Sequence, residues 1–489
     1  MKTLEQLQFN NTYVELPDEF YSRLNTSPLS NQHLISFNQQ AAELIELHPD
    51  EVMRDDFVDI ISGKKQLPGY EPLAMCYSGH QFGHYVPRLG DGRAILLGQV
   101  VTDAGERWDL QLKGAGPTEY SRGSDGRAVL RSTIREYLCS EAMHGLGIPT
   151  TRALCMIGSD TEVYREQIEP GAMLLRMAPS HVRFGSFEYF YYTQQHDKLR
   201  RLADHVIEQH YVEFKQEANP YLALLKQAIK TTAELIASWQ SVGFAHGVMN
   251  TDNMSIHGLT LDYGPYGFLD TYQPDFICNH SDHQGRYAFN KQPDIGAFNL
   301  SCLAQALLPL LHEAPETAAE IAMAGLNEYK HFYVNQYAEL MRKKLGLLDQ
   351  QKHDQALCDH LLRIMHKNNV DYTILFRTLS TEDAATARDL FIDRAAFDNW
   401  YVDYQQRLAS ESSDAQQRSK RMQRTNPKYI LRNYMAELAI EKATRSQDYS
   451  EIDSLLSLLQ KPFDEQPDND VYAEHPPEWA GQISVSCSS

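Results

Sequence analysis

The segment 246–253 reads HGVMNTDN, and the segment 261–265, LDYGP, follows it closely. The first contains Asp252 and Asn253 side by side, and the second places Asp262 in a D-Y-G triplet. Carboxylate and amide oxygens are the ligands that hard divalent cations prefer, and Mg or Mn held by them can bridge phosphates. The two segments therefore predict a loop site in which Asn253 and Asp262 bind the metal.

The same segments stand in the order of the catalytic loops of protein kinases. Kinases keep H-R-D-L-x-x-x-N and then D-F-G, with the first Asp as base and the Asn and second Asp on metal. His246 and Asn253 have the kinase separation, but Val248 takes the position of the base. Asp252 is a candidate base displaced by four positions, or else a carboxylate that only caps the loop.

A glycine-rich stretch lies upstream, at 88–98, and reads RLGDGRAILLG. Gly90 and Gly92 permit a tight turn between strands and bring backbone N–H groups close to a phosphate, while Arg93 adds positive charge. Taken alone, such a motif is most often an ordinary hairpin turn. Its position before the two catalytic segments makes it a candidate nucleotide-binding loop.

A lysine and a glutamate complete the kinase order. Lys113 ends the alternating run DLQLK, and Glu136 lies in a predicted helix from about 128 to 146. In kinases a strand Lys pairs phosphates and is held by a helical Glu. Each residue alone has a simple explanation as a solvated charge. The ordered series predicts that Glu136 orients Lys113 beside a nucleotide.

The predicted elements indicate an α+β protein with a protein-kinase-like bilobal fold. Short apolar or alternating runs bounded by glycine predict strands in the first half, and helical periodicity dominates the second. We expect an N-terminal extension, a β-rich N-lobe, a helical C-lobe, and a helical C-terminal extension with a flexible tail, at residues 1–75, 76–190, 191–345 and 346–489.

Local patterns add more detailed expectations around the site. Separate strands are predicted for TRALCMIG (151–158), EVYREQI (162–168) and GAMLLRMA (171–178). A short hairpin is predicted for MSIHGLTLDYG (254–264), and a long helix for 219–242. Boundaries of this kind follow from glycine, proline and apolar periodicity.

Two arginines stand outside the ordinary kinase set. Arg176 ends an apolar strand, and Arg183 lies in the turn that follows it. Arginine in such settings binds phosphate through two parallel hydrogen bonds, or forms an ion pair that bridges two parts of the protein. Phosphate binding would mean that the phosphate chain lies differently from that in kinases.

The composition excludes several other classes of protein. Lys and Arg number 45 against 65 Asp and Glu, and the net charge of -20 opposes binding to nucleic acid or anionic lipid. The stretch MKTLEQLQFNNTY lacks the apolar core of a signal peptide, and no apolar run suggests a membrane span. We expect a cytoplasmic monomer that binds neither nucleic acid nor membrane.

Neither the cysteines nor the histidines form a recognisable metal motif. The seven cysteines are scattered and include no C-x-x-C pair, which argues against a structural zinc site or a disulfide framework. The stretch HQFGH has a two-histidine spacing, at His80 and His84, but the sequence offers no third ligand. No metal is assigned to it.

Long stretches of the chain resemble the selenoprotein O family, also called YdiU, of kinase-like protein nucleotidyltransferases. The resemblance spans about 77–434 and is carried by YSGHQFGHYVPRLGDGRA, DLQLKGAGPTEYSRGSDGRAVLRSTIREYL, EPGAMLLRMAPSHVRFGSFE, HGVMNTDNMS, LDYGPYGFLD and NPKYILRNY. It implies a kinase-like fold that binds ATP with its phosphates reversed. AMP, rather than the terminal phosphate, is then transferred to Ser, Thr or Tyr hydroxyls of proteins, and pyrophosphate leaves.

The resemblance also implies roles for particular residues. Asp252 would be the proton acceptor, Glu136 would orient Lys113, and Asn253 and Asp262 would hold Mg or Mn. The residues implied to contact the nucleotide are Gly90, Gly92, Arg93, Lys113, Asp125, Gly126, Arg176, Arg183 and Asp262. Additional cations such as the two arginines would stabilise a departing pyrophosphate.

Three alternatives remain at this stage. They are uridylyl transfer from UTP with Mn, a kinase that moves the γ-phosphate, and an inactive nucleotide-binding scaffold. Some family members carry selenocysteine where this chain has Cys487, and the resemblance suggests that Cys487 pairs with Cys278 to restrain the site. The alternative is a free thiol near the end of the chain.

Overall fold

The computed structural model describes residues 1–381 and 383–486, and its core is an antiparallel sheet packed among helices. The strands are β1 (Tyr21–Arg23), β2 (His33–Phe37), β3 (Leu73–Met75), β4 (Gly79–Gln81), β5 (His84–Val86), β6 (Ala94–Val101), β7 (Arg107–Lys113), β8 (Ala128–Val129), β9 (Arg152–Tyr164), β10 (Ile168–Ala178), β11 (Phe244–Ala245) and β12 (Gly267–Phe268). The fold is therefore mixed α/β with antiparallel strand pairing.

The helices fall mostly in the second half of the chain. They are α1 (Gln39–Leu44), α2 (Phe57–Ile61), α3 (Leu130–Gly145), α4 (Phe184–Tyr192), α5 (His196–His210), α6 (Pro220–Val242), α7 (Gln292–Leu311), α8 (Pro315–Leu326), α9 (Glu328–Lys344), α10 (Asp354–Asn368), α11 (Tyr372–Leu379), α12 (Ala384–Asp389), α13 (Arg394–Leu408), α14 (Ala415–Thr425), α15 (Asn433–Ser446) and α16 (Ser450–Leu459). Strands in the first half and helices in the second match the sequence pattern.

The main sheet has the strand order β1-β3-β6-β7-β10-β9-β2, and β8 pairs with β10. Both edge strands come from the first 37 residues, because β1 pairs with β3 and β2 pairs with β9. The N-terminal segment, which shows no clear period in sequence, thus completes the sheet on both sides. At the centre, Arg176 of β10 lies opposite Gln111 of β7, two residues before Lys113. Because side chains alternate along a strand, all three lie on one face.

Two predicted elements near the site were wrong. The predicted strand 151–158 continues beyond its predicted end to Tyr164 as β9, which pairs with β10. The predicted strand 162–168 is therefore not a separate element, because it contains the end of β9, the turn at 165–167 and Ile168, the first residue of β10. The predicted hairpin at 254–264 forms no ladder, because its backbone bonds to other segments instead. Ser255 bridges to Arg183, and Thr260 bridges to Thr150.

The predicted helix around Glu136 is confirmed as α3. Its residues Ile134, Tyr137 and Leu138 are fully buried, and the helix packs against β9 and β10 on one side and α15 and α16 on the other. Burial of a complete helical stripe explains its stability better than helix propensity does. Glu136 is also buried, which is rare for a carboxylate without partners.

Helix α6 leads directly into β11 and the HGVMNTDN loop. Asn219 accepts a hydrogen bond from the backbone of Leu222, Pro220 occupies the first turn, and Gly243 ends the helix at a φ of 73°. These are the usual start and stop signals of a helix. The fixed end of α6 places β11 and the HGVMNTDN loop immediately after it.

One helical segment, Phe289–Leu311, is long and apolar enough to cross a membrane by length and composition. However, 61% of its most apolar window is buried inside the protein, where α7 packs against α4, α6 and α8. The core helix of a globular protein passes the same test, and its apolar character is explained by this packing.

Candidate active site

A cavity of about 660 Å³ lies between the sheet and the loops that follow α6. Eleven of the twelve residues predicted for the site line it: Gly90, Gly92, Arg93, Lys113, Asp125, Gly126, Arg176, Arg183, Asp252, Asn253 and Asp262. The twelfth, Glu136, lies behind the wall and contacts Lys113. Residues from five separate stretches of sequence are thus brought together at one site.

A chain of ion pairs runs across the wall of this cavity. Glu136 binds Lys113 with one carboxylate oxygen, and with the other it accepts a hydrogen bond of 2.9 Å from Arg176. The same Arg176 nitrogen lies 2.5 Å from Oδ1 of Asp262, and Arg183 pairs with Oδ2. All of these groups are buried or nearly so. Opposite charges therefore neutralise each other in a setting where an unpaired charge would be costly.

The ion pairs fix the protonation of Asp262. Burial alone would favour the neutral acid, but Arg183, Arg176 and Lys113 hold the pKa of this carboxyl well below its usual range. Lys113 responds in the opposite way, because burial lowers the pKa of its ammonium group despite the neighbouring Glu136. Asp262 is ionised at any physiological pH and is available as an anionic ligand.

Asp252 has a very different environment, although it lies in the same cavity. Its Oδ2 accepts one hydrogen bond of 3.2 Å from Gln81, while its buried Oδ1 has no hydrogen-bond partner among the described residues. Burial raises the pKa of Asp252 to about 7. A carboxyl with such a pKa and an unpartnered oxygen is suited to accept a proton near neutral pH.

The arrangement of Asn253 fits a hard divalent cation. Its amide nitrogen donates to the backbone carbonyl of Val248 at 3.0 Å, which leaves the amide oxygen as the available ligand atom. Together with the carboxylate of Asp262, it presents the oxygen donors that Mg and Mn prefer. Val248, at the position of the kinase base, therefore orients the Asn253 side chain through its backbone carbonyl.

Two of the predicted nucleotide-contacting glycines, in separate loops of the cavity, are required by close packing. Gly90 adopts a left-handed φ of 72°, and a Cβ there would overlap the ring of Tyr120. Gly126 has a φ of 64°, and a Cβ there would overlap the backbone of Gly116. Both positions accept only glycine without rearrangement. They bring the backbone to the cavity surface.

Asp125 lies at the more exposed side of the cavity. Arg165 donates two hydrogen bonds of 2.8 and 2.9 Å to its carboxylate, and the backbone of Arg127 donates a third. Arg165 was not predicted, because it lies in a ribbon turn without a motif. Arg122 and Arg127 also line the cavity and were overlooked, although they flank the predicted Asp125 and Gly126.

Asp91, between the two glycines of the loop, was also overlooked. It is buried and accepts hydrogen bonds from the Met75 backbone, the Tyr77 hydroxyl and the Gln111 amide, at 3.0, 3.2 and 3.0 Å. A G-D-G triplet in a turn normally exposes its Asp. The strand alternation of neighbouring residues gave no signal that this side chain turns inward.

A family model described as "Protein adenylyltransferase SelO" matches residues 3–460. The chain belongs to the SelO family. Relatives named "Protein nucleotidyltransferase YdiU" from Thioalkalivibrio sulfidiphilus, Myxococcus xanthus and Thiobacillus denitrificans are 56%, 54% and 52% identical. Each similarity covers 100% of both chains. The resemblance predicted from the sequence is confirmed, and the chain is a nucleotidyltransferase.

The segment after Asp262 passes close to the strand β11 that precedes the HGVMNTDN loop. Cys278 is buried, and its sulfur lies 3.5 Å from the carbonyl oxygen of Ala245. Nearby, the backbone N–H of His280 donates to the carbonyl of Val485 at 2.8 Å. The tail therefore returns to this segment. Cys487 itself lies outside the described residues, and its pairing with Cys278 stays a prediction.

Proposed function

We propose that the chain transfers AMP from ATP to Ser, Thr or Tyr hydroxyls of proteins and releases pyrophosphate, using a kinase-like bilobal fold. The observation that carries the proposal is the convergence of Arg176 and Arg183 on Asp262. Neither arginine belongs to the kinase set. Two extra buried cations beside the proposed metal ligand support a site that binds more phosphate charge than γ-phosphate transfer leaves behind.

Each charged residue then has a distinct task. Lys113, held by Glu136, would neutralise one phosphate, and Arg176 and Arg183 would contact the oxygens that become pyrophosphate. Arg93 and the backbone at Gly90 and Gly92 would hold the remaining phosphate group, with Asp125 and Gly126 at the outer side. Positioned charges in a buried cavity stabilise developing charge more strongly than water does.

Asn253 and Asp262 would hold Mg or Mn, which would supply positive charge to neutralise the phosphates. Asp262 is ionised, and its carboxylate is already placed between two cations, so its geometry is fixed before nucleotide binds. Asp252 would accept the proton of the attacking hydroxyl. Its pKa of about 7 makes it a base that is partly ionised at neutral pH and still able to hold the proton.

The decisive experiment supplies the full chain with ATP labelled at either the α- or the γ-phosphate, and measures label bound to protein. We expect label from α only, and none with Asp262→Ala. Label from γ only would identify a kinase instead. Label from neither, with retained ATP binding, would identify an inactive scaffold.

A parallel reaction with UTP and Mn tests the nucleotide preference. We expect slower labelling from UTP with Mn than from ATP with Mg, at matched concentrations. The opposite ranking would assign uridylyl transfer. Lobe boundaries near residues 76, 191 and 346, a monomeric state and a cytoplasmic location remain predictions of the same proposal.

The pairing of Cys278 with Cys487 would regulate this activity through the tail. In a reducing compartment such a disulfide is transient, and it regulates activity rather than stabilising the fold. Peptide mass analysis of oxidised protein, with and without reductant, tests it. Identical peptide masses in both samples would contradict the pairing, and Cys487→Ser is the control.

A further inference from the structure

Directly behind the catalytic loop lies a cluster of three potential metal ligands that the nucleotide site does not use. One ring nitrogen of His80, one carboxylate oxygen of Glu188 and the sulfur of Cys302 lie within 4.8 Å of one another. They come from β4, α4 and α7, three elements that pack together. The sequence offered His80 no third ligand, because its partners lie more than a hundred residues away.

Glu188 provides the strongest indication that this cluster binds a cation. Its side chain is fully buried, and its Oε2 accepts hydrogen bonds from Thr251 and His80, at 3.0 and 3.2 Å. Its Oε1 is buried without a hydrogen-bond partner among the described residues. A buried carboxylate oxygen without a partner is costly. A cation bound by Oε1 would remove that cost.

We propose that His80, Glu188 and Cys302 form a zinc site distinct from the Mg or Mn site of the nucleotide. Imidazole, carboxylate and thiolate are the ligand types that zinc accepts in one tetrahedral site, whereas Mg and Mn avoid sulfur. Binding breaks the S–H bond of Cys302, and the proton leaves to solvent. One thiolate and one carboxylate then balance the charge of Zn²⁺, so the buried complex is neutral.

The geometry needs only a small adjustment to accept the ion. Bonds of about 2.0–2.3 Å place tetrahedral ligands roughly 3.3–3.7 Å apart, so ligand atoms that now lie within 4.8 Å of one another need to approach by at most about 1.5 Å. His80 is slightly exposed, with 12% of its side chain accessible, which leaves a path for the ion and for a water as fourth ligand. The rings of Tyr85, Tyr192 and Phe298 surround the imidazole and exclude further solvent.

The site is connected to the catalytic loop through Thr251. Its hydroxyl accepts a hydrogen bond of 2.7 Å from the His80 backbone and donates to Glu188. Thr251 directly precedes Asp252, and the residue after His80, Gln81, donates to the Asp252 carboxylate. Groups that orient metal ligands tune the site they surround. Zinc would therefore hold the loop that carries the proposed base.

The test uses the full chain, freed of metal by a chelator and titrated with Co²⁺ as a spectroscopic substitute for zinc. We expect one equivalent to produce a thiolate-to-cobalt charge-transfer band. Cys302→Ser should abolish the band, and Glu188→Gln should weaken binding at least tenfold. Cys487→Ser and Cys358→Ala are matched thiol controls and should keep the band. A band that survives Cys302→Ser, or none in the unaltered chain, would overturn the proposal.

A second measurement covers the case in which the variants fail to fold. X-ray absorption of the zinc-loaded, unaltered chain should show one sulfur at about 2.3 Å beside nitrogen and oxygen ligands. A first shell without sulfur would exclude the site regardless of any variant. Hydrogen exchange of the loop 247–254 should slow when zinc is added to the Cys487→Ser control. Unchanged exchange there would refute the connection to the catalytic loop.

Discussion

Asp252 and Asp262 are two largely buried carboxylates of one cavity with opposite electrostatic environments. Two arginines and Lys113 surround Asp262 and keep its pKa well below the ordinary value despite burial, whereas burial raises that of Asp252 to about 7. Asp252 receives one side-chain hydrogen bond, from Gln81. The difference teaches that the residue type does not decide the role. A carboxylate paired with several cations is a permanent anion, and a buried one that pairs with no cation is a proton acceptor.

The largest effect is expected from Asp262→Asn, which removes the anionic side of the comparison. Arg176 and Arg183 would lose their shared carboxylate while remaining buried. Breaking a buried pair in this way costs about 3–5 kcal/mol. We expect a large loss of stability in urea unfolding and no detectable nucleotide transfer.

Asp252→Asn is the matched control for this substitution. It replaces the same group by the same amide in the same cavity, but it leaves no cation without a partner. If both variants lose the same amount of stability, the arginines do not depend on Asp262, and the proposed difference between the two carboxylates fails.

The second prediction concerns the activity of Asp252→Asn, in which the proposed proton acceptor is removed. Loss of a general base typically costs about 10²–10⁴-fold in rate. Asp252→Asn should lower kcat by such a factor while the KM for ATP stays nearly constant. Because the base must be ionised, the kcat of the unaltered chain should rise with pH through about 7, and the variant should lose this step. Full activity of Asp252→Asn would reduce Asp252 to a loop-capping carboxylate.

The sequence could predict which residues meet in this cavity but not the contrast between its two carboxylates. The order and spacing of motifs can be read directly from the sequence. They identified the elements that carry Gly90, Lys113, Glu136, Asn253 and Asp262. The environments arise from long-range pairing of strands. Register places Arg176 opposite Gln111, and no local pattern contains that information.

Prediction of the fold succeeded where the sequence signal is local and periodic, and it failed where the strands are short or the backbone bonds to distant segments. Helix α3 was predicted because its apolar stripe is local and periodic. The edge strands β1 and β2 were missed, because strands of three and five residues carry too little periodic signal. The hairpin at 254–264 was wrong because its backbone groups bond to distant segments, a tertiary effect that overrides local preference.

A third, smaller effect appears in the pH dependence of stability. The pKa of Asp252 is about 7 in the folded chain and about 3.9 when unfolded. The folded state therefore holds a proton that the unfolded state releases, and this contribution to stability is lost as pH rises from about 4 through 7. Because a difference of about 3 pKa units corresponds to about 4 kcal/mol, Asp252→Asn should be more stable than the unaltered chain by ~4 kcal/mol at pH 8 and by only ~1 kcal/mol at pH 4.5.

Thermal unfolding of the two proteins across this pH range measures the difference directly. A constant difference in stability between pH 4.5 and 8 would show that Asp252 titrates at an ordinary pKa. The comparison with Asp262 would then rest on the arginines alone.

The smallest effect is expected from Gln81→Leu, which tests how much the Gln81 hydrogen bond contributes to the pKa of Asp252. Gln81 donates the side-chain hydrogen bond of 3.2 Å that favours the ionised form of this carboxyl. A net hydrogen bond contributes about 0.5–1.5 kcal/mol, and one pKa unit corresponds to about 1.4 kcal/mol. The pH at which kcat reaches half its maximum should therefore rise by about 0.5–1 unit. In an Asp252→Asn background the same change should leave the profile flat, and a shift that persisted there would assign the titration to another group.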